Sequence, residues 1–314
     1  MIEEKSIRTV FMGTPDFALS TLAGLIDLEL NMVGVFTQPD RPKGRGKKLA
    51  APPVKELAAK HGIPVFQPQR LRDEEAVVQV AELAPDLIVV VAYGQILPQS
   101  VLDIPKYGCI NVHASLLPRH RGAAPINKAI IDGDQIAGVT TMMMDIGLDT
   151  GDMLVKHSVD IFPQETAGQL HDRLAKLGCE AMVETVARLC AGTLKRESQD
   201  DSQSTYASMM KKEDGRIDWQ QDAATIHNLV RGLDPWPGAY TTLEGETLKV
   251  ADTRVCEGSG VSGTVLHADG DGVIVACGDG ALKIDGLQLP GKKRLCAADF
   301  LRGRTLEVGT QLGS

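Results

Sequence analysis

Over its first 190 residues the chain alternates short apolar runs with segments of helical periodicity, and that alternation admits few folds. "RTVFMG" (8–13), "MVGVFTQ" (32–38), "DLIVVVA" (86–92) and "GCINVH" (108–113) predict strands. Between them "PDFALSTLAGLIDL" and "PVKELAAKHG" have helical spacing, with Pro15 and Pro53 near their first turns and Gly62 closing the second. "GVTTMMMD" (138–145) and "MLVKHSVD" (153–160) predict two later strands, followed by a long helix from about Thr166 to Cys190. Strand, helix, strand in repetition is the pattern of parallel βαβ units, and it predicts an α/β fold with a Rossmann-like, open, mostly parallel sheet. Such sheets take ligands at the carboxyl ends of their strands.

The pattern then changes. Residues 193–208, "TLKRESQDDSQSTYAS", are polar and poor in apolar side chains, as in a linker. Beyond them "AYTTLEG", "ETLKVADTRV", "GVSGTVLHAD", "GVIVACGDG" and "LKIDGLQL" alternate with Gly and Asp turns, which predicts a small antiparallel, OB-fold-like β-barrel. The 314 residues therefore divide into a first domain over 1–192, a linker over 193–208 and a second domain over 209–314.

Composition excludes several classes of function. The longest apolar stretch, 86–98, is broken by Gly94 and Pro98 and is shorter than the roughly 18 residues of a membrane-spanning helix. The acidic start "MIEEKSIRTV" lacks a signal peptide's apolar run, so the expected location is the cytoplasm, with no membrane partner. Six cysteines (109, 179, 190, 256, 277, 296) form no CxxC pair and lack a His at zinc-ligand spacing, so no metal is expected and most read as small buried hydrophobes. A net charge of -8 argues against a general nucleic-acid coat and leaves such contacts to local patches. Heptads and self-pairing strands are not evident, which points to a monomer.

Three stretches bear chemistry. Asn111 and His113 stand two apart on a predicted strand, so both project from one face while Ile110 and Val112 point to the other. An amide donor beside an imidazole at a strand's carboxyl end suits stabilisation of an oxyanion and movement of a proton. It equally suits two satisfied polar groups at a strand end. "MDIGLDTGDM" (144–153) sets Asp145, Asp149 and Asp152 among Gly147 and Gly151. Such a loop is a turn in its own right, and any one of the three carboxylates could reach an imidazole. "RPKGRGKK" (41–48) holds five cations in eight residues, either a solvated run or a loop that fits phosphates. "KKR" (292–294) with Arg302 and Arg304 would give the barrel a weaker phosphate-facing edge. Trp236, between prolines, is expected to pack between the helix "DAATIHNLVRGL" and the barrel, with a base-stacking platform as the alternative. His61, His120, His157, His171, His227 and His267 read as surface or structural. "FMGTPDFA" (11–18) follows the first strand with one glycine where a dinucleotide fingerprint needs three, which argues against a nicotinamide dehydrogenase.

Taken in order, "GTPDFA", "TQPDRPKGRGKKL", "VVAYGQILP", "GCINVHASLLPRHRGAAPI", "MMMDIGLDTGDML" and "DPWPGAY" resemble the methionyl-tRNA formyltransferases, within the folate-dependent formyltransferases. The resemblance implies transfer of a formyl group from 10-formyltetrahydrofolate to the α-amine of methionine on initiator tRNA. It assigns Asn111, His113 and Asp149 to the catalytic set, and Ser115, Leu116, Leu117 and Pro118 to the folate site. It carries Arg45 over to the tRNA acceptor stem, with Lys47 and Lys48 beside it, and makes 209–314 the tRNA-binding domain. Two alternatives keep parts of this reading. A folate-dependent formyltransferase acting on a small amine, such as glycinamide ribonucleotide or an amino sugar, would share the Asn, His and Asp set. A noncatalytic tRNA-binding protein would not need that set.

Overall fold

The apolar runs are strands of one sheet. In the structure, a computed structural model that describes residues 3–43 and 48–313, they are β1 (Arg8–Gly13), β2 (Asn31–Phe36), β3 (Val65–Phe66), β4 (Leu87–Val91), β5 (Cys109–His113), β6 (Ile136–Met143) and β7 (Met153–Asp160). Their order is β7-β6-β5-β4-β1-β2-β3. β1 runs parallel to β2 and β4, β2 to β3, and β4 to β5, whereas β6 is antiparallel to β5. The sheet is mostly parallel, as the alternation predicts, and β4 is buried along its whole length.

Period-two alternation decides what each face packs on. Val10, Met12, Ile88, Val90 and Cys109 share a core with Leu71, Val80, Tyr93 and Val101. Each fully buried Val, Leu, Ile or Met there contributes about 1.5–3 kcal/mol by leaving water. Val112 turns the opposite way. Its methyl lies so near Gly178 of the helix α5 (Ala167–Ala191) that a Cβ at 178 would come within 2.9 Å of it. The longer of the other helices are α1 (Leu19–Asp27), α2 (Pro53–Lys60), α3 (Glu74–Glu82), α4 (Pro125–Ile131), α6 (Ala223–Gly232) and α7 (Ala297–Gly303). Pro53 and Pro125 occupy first-turn positions, where the missing N–H costs nothing.

By contacts the chain forms two compact units, one of Met1–Gly122, Ala137–Val159 and His171–Tyr206, the other of Ala123–Ile136, Asp160–Leu170 and Ala207–Ser314. The second contains the antiparallel strands β8 (Ala239–Leu243), β9 (Glu246–Cys256), β10 (Val265–Asp269), β11 (Gly272–Ala276), β12 (Ala281–Gln288) and β13 (Leu295–Cys296), in the order β8-β9-β12-β11-β10 with β13 on β12. Trp219 is buried in this unit's core and its indole N–H donates to Thr241 Oγ1 at 3.0 Å. Trp236 corrects the expectation of a packing role: its side chain is 57% exposed. The indole in this unit's core is that of Trp219 instead. Among the described residues no helix is long and apolar enough to cross a membrane.

Asp222 caps α6, accepting from Thr225 N–H at 2.8 Å. His227, on the helix's buried side, meets the Pro163 carbonyl through Nε2 at 3.1 Å and Thr253 Oγ1 through Nδ1 at 2.9 Å. A carbonyl only accepts, so Nε2 carries the proton and Thr253 donates to Nδ1. Burial, with a smaller push from Arg231, holds the His227 pKa below the ordinary histidine value against an opposing pull from the Pro163 carbonyl. The native site thus refuses a proton that the unfolded chain accepts. The stabilisation is present above the unfolded pKa of about 6.5 and is lost as pH falls through it toward the lowered native value. Melting temperature should therefore fall on acidification through this range, and less steeply in His227→Gln; an equal slope in the two proteins would remove His227 as the cause.

Candidate active site

The carboxyl ends of β1, β2 and β4 are tied by side chains. Thr14 Oγ1 donates to the Tyr93 carbonyl at 2.9 Å and accepts from Gln38 N–H at 3.2 Å, and Gln38 Nε2 reaches the same carbonyl at 3.3 Å. Gly13, at the end of β1, is required by close approach: a Cβ there would meet Phe11 at 2.6 Å and the Val91 carbonyl at 3.0 Å. The glycine of "FMGTPDFA" serves packing between strands, and no phosphate need be invoked for it.

β5 ends at His113, beside this tied edge. Asn111 is half-buried and His113 is 6% exposed. Among the described residues the Asn111 carboxamide has no hydrogen-bond partner. Its two donors and one acceptor are therefore available to a ligand. Cys109, on the same face, is no nucleophile, since burial above all, and then Asp103, push its thiol up to about 12.

The imidazole of His113 is held between two loops. Nε2 lies 2.9 Å from the His120 carbonyl, and Nδ1 lies 3.7 Å from Asp149 Oδ2. Because a carbonyl cannot donate, Nε2 keeps its proton whatever the charge of the ring. Nδ1 is then the variable atom, a lone pair when the ring is neutral and a donor when it is charged. At 3.7 Å the carboxylate faces Nδ1 without bonding it, so a substrate atom can take that position. Both flanking residues are in the left-handed region, His120 at φ 55° and Asp149 at φ 54°. Such conformations cost non-glycine residues about 1–2 kcal/mol and persist where surrounding bonds impose them.

Those bonds are specific. Gly122 N–H donates to Asp149 Oδ2 at 2.8 Å, which fixes the carboxylate. Asp145 is used within its own turn, accepting from Thr150 Oγ1 and Gly147 N–H, and Asp152 accepts from Ser198. Of the three carboxylates that the sequence left open, Asp149 is the one at the imidazole.

The folate candidates are divided by burial. Ser115 is buried and gives its hydroxyl to the Arg119 carbonyl at 2.7 Å, and Leu117 lies in a small core with Met142 and Met153. Leu116 and Pro118 are half-buried. Arg45 and Lys47 lie outside the described residues, and Lys48 begins the short strand Lys48–Ala50 that pairs with Arg41–Lys43. In the second unit Arg294 pairs with Asp234 and Asp252, Arg304 with Glu244 and Glu246, and Arg302 with Asp299. Lys292 and Lys293 are the exposed cations of "KKR" that keep their charge uncompensated by these pairs. Sequence reading did not single out Gln199, Arg121 or Thr205, nor the His120 carbonyl; only structure brings them to the site.

Comparisons with known proteins bear on the chain as a whole. Residues 7–186 match the formyl transferase family and residues 209–305 match the formyl transferase C-terminal domain. The chain is 60% identical to the methionyl-tRNA formyltransferase of Geobacter metallireducens, over 98% of this chain and 99% of that one. It is 52% identical to the methionyl-tRNA formyltransferase of Alkaliphilus metalliredigens, over 98% of each. Among solved structures, the N-formyltransferase from Helicobacter canadensis in complex with folinic acid and dTDP-3-aminofucose aligns with a TM-score of 0.68 at 18% identity, covering 90% of this chain and 98% of that one. HypX from Aquifex aeolicus in complex with tetrahydrofolic acid aligns with a TM-score of 0.64 at 20% identity, covering 97% of this chain and 50% of that one. At such identities the two structures speak for the fold alone, whereas the sequence matches settle the lineage: the chain belongs to the formyl transferase family.

Proposed function

We propose that the chain transfers a formyl group from 10-formyltetrahydrofolate to the α-amino group of methionine on initiator tRNA. The observation that carries this reading is the 60% identity to a methionyl-tRNA formyltransferase, which runs through both domains. The division of labour follows the sequence: residues 1–192 bind the folate donor and perform the transfer, 193–208 lead on to the second domain while bonding to the loops beside His113, and 209–314 bind tRNA. On this reading the protein acts as a cytoplasmic monomer; Asn111, His113 and Asp149 all belong to one unit of one chain, so the catalytic set needs no second copy to complete it.

The chemistry follows from the groups present. The methionine amine must be neutral to attack, and with an α-amino pKa of about 8 a useful fraction is neutral at pH 7. Its nitrogen bonds to the formyl carbon, and the C=O pair moves onto oxygen. Asn111 donates to that oxyanion through its free carboxamide, and His113 does so through Nδ1–H in its charged form. The amine's proton passes to the folate nitrogen as the C–N bond breaks, and Asp149 assists that transfer, directly or through water. Neither a covalent enzyme intermediate nor a metal enters this sequence. Leu116 and Pro118, with the backbone of the 115–118 loop, give the donor one wall, while Ser115 and Leu117 hold that loop from within.

Asn111→Ala tests the oxyanion role. It should lower kcat about 10²- to 10³-fold while binding of the folate donor, measured by fluorescence titration, stays close to that of the parent. An unchanged kcat would remove Asn111 from the mechanism. Arg45→Ala tests the tRNA role: KM for tRNA should rise and the slope of log(kcat/KM) against log salt should flatten by about one charge.

A further inference from the structure

The polar segment 197–205 is bonded along its length to the two loops that flank His113. Glu197 exchanges two backbone hydrogen bonds with Met153, at 2.8 and 2.9 Å, and Ser198 donates to Asp152 at 3.0 Å. Gln199 comes next, and its carboxamide is used completely. Nε2 donates to the carbonyls of Asp149 at 2.8 Å and Gly151 at 2.7 Å. Oε1 accepts from Arg121 Nε at 3.0 Å and Nη2 at 2.8 Å. Arg121, whose side chain is 11% exposed, also bonds Asp201 at 2.7 Å, and its N–H donates to the Thr205 carbonyl at 2.9 Å. Thr205 Oγ1 accepts from His120 N–H at 2.8 Å.

One side chain therefore spans the residues on either side of the imidazole. The 120–122 stretch supplies the carbonyl at Nε2 and the N–H that fixes Asp149, while the 149–151 stretch supplies the carboxylate at Nδ1. Neither stretch is held there by local preference, since His120 and Asp149 both sit at positive φ. We propose that Gln199 is a positioning residue for the transfer reaction, setting the distance between the Asp149 carboxylate and the His113 ring. The inference rests on the proposed formyl transfer for its catalytic consequence and on the hydrogen bonds alone for its geometry.

Amide chemistry makes the role separable from simple stability. Only a carboxamide donates twice and accepts twice here. Gln199→Glu keeps an acceptor for Arg121, even strengthening that pair, but presents an oxygen to the 149 and 151 carbonyls. Gln199→Ala loses both sides. Gln203→Ala is the control, because that side chain in the same segment donates to Asp200.

The experiment compares these three variants with the parent in kcat, in KM for each substrate, in melting temperature and in hydrogen exchange at the Gly122 amide. Misplacing a catalytic group by about 1 Å costs on the order of 10²-fold in rate. Both Gln199 variants should show that loss in kcat with KM nearly constant. Gly122, whose acceptor is the Asp149 carboxylate, should exchange about tenfold faster in both. Gln203→Ala should match the parent in each readout. An unchanged Gly122 exchange rate in Gln199→Glu, or a kcat loss of equal size in Gln203→Ala, overturns the proposal. Should the parent itself transfer no formyl group, the functional reading falls, and the exchange comparison alone decides the role of Gln199.

Discussion

Replacing His113 with alanine is expected to lower kcat/KM for formyl transfer by roughly 10³-fold, and Asp149→Asn by about 10²-fold. The two changes act differently. His113→Ala removes the Nδ1 group and leaves the His120 carbonyl without its donor, so a stability loss of about 1–3 kcal/mol accompanies the kinetic one. Assays well below the melting temperature separate the two effects. Asp149→Asn is nearly isosteric, and asparagine tolerates the left-handed backbone at φ 54°. The Gly122 N–H can still find an oxygen at that position. What changes is the charge facing Nδ1, so a loss in Asp149→Asn without a fall in melting temperature isolates electrostatics from geometry. Kinetics within a factor of a few of the parent in either variant would contradict the assignment of that residue.

Gly151→Ala is expected to be almost as damaging, though residue 151 bears no side chain to take part in chemistry. A Cβ at this position would lie 1.9 Å from the Met143 carbonyl oxygen and 2.9 Å from its carbon, both backbone atoms at the end of β6. Met143 N–H in turn donates to the Asp152 carbonyl at 2.8 Å, so loop and strand are bonded at the point of contact. No rotamer can relieve the clash. The 145–152 loop must move by more than an ångström, carrying Asp149 and the Gln199 acceptor with it. Misplacement on that scale costs on the order of 10² in rate, and overpacking costs about 1–3 kcal/mol. Kinetics and thermal melts of this one variant check both; a protein with parental kcat would show that the loop's position is immaterial to catalysis.

Much of the first sheet was legible because its strands are short, apolar and separated by helical patterns. β1 and β7 coincide with the predicted runs "RTVFMG" and "MLVKHSVD", and α2 starts at Pro53 and ends near Gly62 as composition predicts. The helix α4, which Pro125 opens, was less legible, because the prolines and arginines of "SLLPRHRGAAPI", which runs into it, have the composition of a loop. Asn111 and His113 could be placed on one face by alternation alone, whereas the choice among Asp145, Asp149 and Asp152 needed coordinates. Three carboxylates in one turn differ only in where the backbone aims them, and the backbone there is held by Gln199 from fifty residues away. That residue sits in a run whose polarity predicts a linker, because side chains that bond loop carbonyls have the composition of side chains that bond water. Trp236 illustrates the reverse error, since an aromatic between prolines looks like a packing element and is exposed.

The most direct measurement is formyl transfer from 10-formyltetrahydrofolate to methionyl initiator tRNA, run beside methionyl elongator tRNA and glycinamide ribonucleotide. The account predicts a strong preference for the initiator in kcat/KM. Transfer to the small amine, with none to either tRNA, would contradict it.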